Sequence, residues 1–175
     1  MTRTISISRA TADHVSELVQ LVNSAYRGES SKRGWTTEAD LLGGVRTDDA
    51  SMLHLINASE SAVLQCRNEQ NELLGCVNLR KQNNQLYLGM LTVSPELQGA
   101  GIGKELLHAS EQYAKDHRLS EIVMTVISVR QELIAWYERR GYQKTGETKP
   151  FPASDPSFGI PKQPLEFIVL KKSFR

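Results

Sequence analysis

The stretch SPELQGAGIGKELL, Ser94–Leu107, sets Gly99, Gly101 and Gly103 on alternate positions between an apolar run and a helical pattern. Glycine removes the side chains that hold a ligand away from the main chain, and it adopts backbone conformations that other residues avoid. At the entry to a helix the first amide hydrogens have no intrahelical partner, and the helix dipole adds to their attraction for a phosphate or pyrophosphate. Two familiar phosphate motifs fail on spacing. A dinucleotide fingerprint counted from Gly99 needs a glycine where Lys104 stands. A nucleotide P-loop ending at Gly103-Lys104 needs glycine at Gln98 and a hydroxyl residue at Glu105.

The flanks give the turn its setting. Leu86–Val93 reads as a strand entering it, and Ile102, Leu106, Ser110 and Tyr113 follow at helical spacing as far as His117. Ile122–Ile127 is nearly continuous apolar, the pattern of a strand buried on both faces. Leu133, Ile134, Trp136 and Tyr137 lie on a further helix that stops at Gly141. Strand, glycine turn, helix, strand, helix is a crossover unit, so its two strands should lie parallel with the turn at their carboxyl ends.

Upstream, Thr4–Arg9 alternates as a half-buried strand and leads into a helix carrying Val15, Leu18, Val19, Val22 and Ala25 on one stripe. GESSKRGW reads as a loop, and Thr36-Thr37 with Glu38 and Asp40 predicts a short second helix to about Gly43. From Met52 onward the texture is that of strands. Ala62–Cys66 and Leu73–Leu79 flank the turn-forming Asn68–Asn71, and with Leu86–Val93 they make an antiparallel meander. Residues 150–164 hold five of the six prolines and read as a long loop before a last strand, Leu165–Leu170.

The 175 residues suit one domain, spanning 1–175. With 21 basic and 20 acidic side chains and scattered basic pairs, the chain shows no nucleic-acid stripe. No apolar run reaches signal-peptide or membrane-span length, so a cytoplasmic location and no membrane partner are expected. Cys66 and Cys76 lie in apolar, strand-like segments, as buried free thiols do, and the four histidines are dispersed. No metal is assigned.

Gln98-Gly99-Ala100-Gly101-Ile102-Gly103, preceded by Leu91-Thr92-Val93-Ser94-Pro95, resembles the acyl-CoA signature Q/R-x-x-G-x-G/A of the GCN5-related N-acetyltransferases. Ala135–Tyr142 is similar to that family's late helix, in which a tyrosine is followed by three residues, glycine and an aromatic. The element order is similar along nearly the whole chain. The resemblance implies a mixed α/β (α+β) fold, with a mostly antiparallel sheet of six to seven strands, about four helices and splayed central strands.

It also implies an acetyl-CoA-dependent N-acetyltransferase acting directly on a primary amine of a small molecule or peptide. On that reading, main-chain groups of Leu91, Thr92 and Val93 take the pantetheine arm. The amides of Gly99, Ala100, Gly101, Ile102, Gly103 and Lys104 take the pyrophosphate, and Gln98 holds the Q/R position. A strand amide near Leu91 would meet the oxyanion, and Tyr137 would protonate the leaving thiolate. In water that proton transfer is uphill by roughly 2 kcal/mol, from a phenol of pKa about 10 to a thiolate whose acid lies near 8.5. The family often has asparagine where this chain has Arg130, so Arg130 is carried over only as a cofactor contact by position. Tyr26 and Trp35 fall where relatives build the acceptor lid. No general base stands out, and the resemblance allows a homodimer. A catalytically silent acyl-CoA sensor or protein-interaction module on the same fold is the alternative.

Overall fold

The computed structural model describes residues 4–26, 39, 41–43, 46–152 and 160–174. Its elements are β1 (Ile5–Arg9), α1 (Val15–Tyr26), β2 (Leu42–Gly43), α2 (Asp49–Asn57), β3 (Ser61–Asn68), β4 (Leu73–Gln82), β5 (Gln85–Val93), α3 (Ile102–Asp116), β6 (Glu121–Ile127), α4 (Gln131–Glu138), β7 (Gln143–Pro150), β8 (Ile160–Pro161) and β9 (Glu166–Ser173). Seven strands form one sheet in the order β1-β3-β4-β5-β6-β9-β7, and β2 pairs with β8 as a separate ribbon. Every neighbouring pair of the large sheet is antiparallel except β5 and β6, which are parallel as the crossover reading requires.

Two apolar layers sandwich the sheet. On one face Leu106 and Leu107 of α3 and Ile134 of α4 pack with Val77, Leu79, Leu86 and Ile122. On the other, Leu18, Leu21 and Val22 of α1 and Met52 and Ile56 of α2 pack with Val63 and Met90. Each such buried side chain contributes roughly 1.5–3 kcal/mol of transfer free energy. Cys66 belongs to the first layer and Cys76 to the second. Both are free, so the backbone itself separates the two thiols. Burial pushes them up, Cys66 to about 11 and Cys76 to about 12.

Several expectations are corrected. Met52 opens no strand but sits in α2, whose start is capped by Asp48 Oδ1 accepting from Ser51 N at 2.7 Å. The predicted start of the second helix at Thr36-Thr37 lies outside the described residues. Its expected end does not hold, because Leu42–Gly43 pairs with Ile160–Pro161 as a strand. Residues 143–150 form β7, a strand exposed throughout, which no apolar alternation could reveal. One side of β6 is buried and the other only half-buried, so the strand is not covered equally on both faces.

Candidate active site

Strands β5 and β6 pair only at Gln85↔Glu121, Leu86↔Ile122 and Tyr87↔Val123. Beyond those rungs they part, and the opening faces their carboxyl ends. At the joined end Gln85 Nε2 donates to Glu121 Oε1, which, ahead of Lys171, holds that carboxyl below its ordinary range.

On the side away from the opening, β5 is irregular. Cys76 faces Thr92 and Asn78 faces Gly89, so Met90 and Leu91 both stand opposite Val77. The bulge puts Met90 at φ +56°, a left-handed conformation that costs a residue with a Cβ roughly 1–2 kcal/mol. Two hydroxyls brace it. Thr92 Oγ1 donates to Met90 O at 2.9 Å, and Tyr26 Oη donates to Leu91 O at 2.6 Å.

A cavity of about 420 Å³ runs from this bulge to the glycine turn, lined by Leu91, Thr92, Val93, Gln98, Gly99, Gly101, Gly103 and Lys104. The glycines differ in what they do. Gly99 and Gly101 have φ +89° and +87°, and a Cβ on either would meet nothing within 4 Å. Their backbone requires glycine, and the space before the turn stays clear. Gly103 instead lets α3 approach its neighbours, since a Cβ there would stand 3.4 Å from Trp136 Cζ2 and 3.5 Å from Val93 Cγ2. No side chain caps the first turn of α3. Ala100 N donates to Leu97 O at 3.2 Å, so the amide expected to join the anion cradle is spent inside the turn. The Ile102 side chain is buried in the core and does not line the cavity.

Gln98 Nε2 donates to Val93 O at 3.3 Å, while its Oε1 is buried without a partner. The carbonyls of Leu91 and Val93 therefore each already receive a donor from the protein. Lys104, Arg139 and Arg140 line the same cavity. The Arg140 guanidinium lies 3.9 Å from the Trp136 ring centroid and donates from Nη1 to Trp136 O at 2.9 Å. Burial, and then repulsion from Arg139, lowers its pKa.

A second cavity of about 200 Å³ adjoins the first, and Tyr26, Leu91, Arg130, Leu133 and Tyr137 line both. Tyr137, buried on α4, meets Trp136 edge-on at 5.1 Å and Tyr142 at 5.9 Å. Burial holds its phenol far above the ordinary range; Tyr26 adds to the rise and Arg130 opposes it. Arg130 occupies the residue before α4, also buried, with Nε 3.9 Å from Glu132 Oε1. Site residues missing from the sequence reading are Arg139 and Arg140 in the first cavity and Arg46, Tyr87, Thr125, Phe151 and Phe167 in the second. They come from segments far apart in the chain, and no local pattern marks them. Trp35 lies outside the described residues. Among the described residues no three metal-donor side chains cluster, and no helix is long and apolar enough to cross a membrane.

The sequence model of the acetyltransferase (GNAT) family matches residues 16–142. N-acetyltransferase family 8 member 7 of Mus musculus is 28% identical over 120 residues, 65% of this chain and 53% of that protein. The chain thus spans about half the length of the curated relatives it matches. The crystal structure of PaiA N-acetyltransferase from Thermoplasma acidophilum in complex with coenzyme A is similar at TM-score 0.71 and 18% identity, covering 98% of this chain and 99% of that one. The ribosomal-protein-S18-alanine N-acetyltransferase from Escherichia coli gives 0.70 and 12%, over 97% and 94% of the two chains. Both structures share this fold, and the matched residues 16–142 take in β5, the glycine turn, α3, β6 and α4; the chain belongs to the acetyltransferase (GNAT) family.

Proposed function

We propose that this chain moves an acetyl group from acetyl-CoA to a primary amine, with the cofactor in the larger cavity and the amine in the smaller. The observation that carries the reading is the sharing of Tyr137 and Leu91 by both cavities, so that two reactants would meet there. When bound, the cofactor supplies a thioester carbonyl for the amine to attack.

The residues present fit such a ligand. The clear space at Gly99 and Gly101, together with the uncapped start of α3, suits a pyrophosphate, and Lys104 adds a positive charge. The orphaned Oε1 of Gln98 suits an amide N–H in the pantetheine arm. With their carbonyls already receiving donors, Leu91 and Val93 are left to offer amide N–H groups. The bulge aims the Leu91 segment out of the regular ladder, where its N–H can hold the carbonyl oxygen as charge develops.

Tyr137 holds a proton at Oη for the departing sulfur. Because burial raises the phenol, the bond acts first as a donated hydrogen bond, and the proton moves as the sulfur gains full charge. Arg130 makes that move less costly by stabilising the phenolate. In the complete reaction a C–N bond forms, a C–S bond breaks, the ammonium gives up two protons, and the thiolate takes one. The smaller cavity has no carboxylate or imidazole among its described lining residues, so water receives the ammonium's first proton.

Free-thiol release from acetyl-CoA with a panel of primary amines tests the reading. Tyr137→Phe should lower kcat roughly 100-fold while coenzyme A binds within about 3-fold of the parent. Full turnover by the variant at every pH would remove Tyr137 from the chemistry.

A further inference from the structure

Charge in the smaller cavity is one-sided. Its charged lining residues are Arg46 and Arg130, and among the described residues no acidic side chain lines it. The main chain at Arg46 is held from outside. Asn23 on α1 accepts from Arg46 N at 2.8 Å and from Thr47 N at 3.0 Å, and it donates to Thr47 O at 3.0 Å. The guanidinium then lies 5.4 Å from the centroid of the Tyr26 ring, the same tyrosine that bonds to Leu91 O. A guanidinium lining the cavity from an anchored stretch of main chain is matched to a planar anion such as a carboxylate.

Much of the remaining lining is apolar. Met90, Met124, Phe151 and Phe167 contribute to it, with the two phenyl rings 5.3 Å apart. At about 200 Å³ the space has the scale of one amino acid. A bare ammonium entering beside the Arg46 guanidinium is repelled, and a polycation more so. An ammonium joined to its own carboxylate arrives with no net charge, and the carboxylate finds a partner.

Resting on the acetyltransferase reading, we infer that the acceptor is an α-amino acid with an apolar or aromatic side chain, its carboxylate bound at Arg46 and its side chain against Phe151 and Phe167. Arg46 is then a specificity-determining residue. The like-charged surroundings also lower the pKa of the bound amine, which assists a site that relies on water to remove its proton.

The test measures equilibrium binding apart from turnover. Protein saturated with coenzyme A is titrated with N-acetyl-L-phenylalanine, with N-acetylphenethylamine, which lacks only the carboxylate, and with spermidine. N-acetyl-L-phenylalanine should bind at least about 10-fold tighter than its decarboxylated counterpart. Arg46→Gln, verified by an unchanged coenzyme A affinity, should bring the pair within about 3-fold, and Arg46→Lys should restore part of the difference. Equal binding of the pair, binding of neither, or preference for spermidine overturns the inference. Thiol release with the free amines separates the two readings. A carboxylate preference without turnover upholds this pocket and sinks the transferase. Turnover of spermidine but not phenylalanine does the reverse.

Discussion

Gly101 and Gly103 stand two positions apart, yet they answer to different constraints, and substitution should expose the difference. Alanine at Gly101 meets no neighbour but must hold φ +87°, so it should cost roughly 1–2 kcal/mol and loosen coenzyme A through a distorted turn. Alanine at Gly103 keeps an ordinary backbone and meets Trp136 and Val93 at the edge of normal contact, so a smaller loss, under about 1 kcal/mol, is expected. Urea denaturation with parallel coenzyme A titration compares them; a larger loss at Gly103 would reverse the assignment. The turn was legible from sequence because left-handed backbone and a helix entry are local matters. Arg46, Phe151 and Phe167 were not, because only the tertiary fold brings them to Tyr26 and Tyr137. Arg130 was legible as a departure from the family pattern, and the structure sets its charge near Tyr137 and in the lining of both cavities.

Among the elements, β4 and β5 carry the strain. Gly75 lies against the bulged strand, and a Cβ there would stand 2.6 Å from Thr92 O and 3.0 Å from Leu106 Cδ1. Since the first of these is backbone, Gly75→Ala has to displace β5 or α3. A loss of roughly 1–3 kcal/mol is expected, together with weaker coenzyme A binding, because Thr92 is part of the braced bulge. Intact cofactor affinity in a destabilised variant would show that the bulge tolerates the shift. The meander, α1 and α3 were readable because their apolar spacing matches their period. By contrast β7 is exposed at every position, so it left no such trace. The short α2 was hidden by the strand-like texture after Met52, although Asp48 caps it.

For the molecule as a whole, the buried ionisable groups predict an alkaline limit. Cys66 and Cys76 are raised to about 11 and 12 by burial, and Tyr137 and Tyr142 are raised further. The unfolded thiols ionise near pH 8.5 while the folded ones stay neutral, so stability is full below that pH and falls as pH climbs toward 11–12. Cys76 alone should account for on the order of 2 kcal/mol at pH 10. Urea midpoints at pH 8 and pH 10 measure the fall, and Cys76→Val should flatten it; an unchanged slope would place the loss elsewhere. The split sheet has a mechanical consequence too. With β5 and β6 joined by three rungs, β1-β3-β4-β5 and β6-β9-β7 are two leaves on a short spine. A ligand lying along the gap laces them together, so deuterium uptake should slow on both facing strands at once when coenzyme A is added.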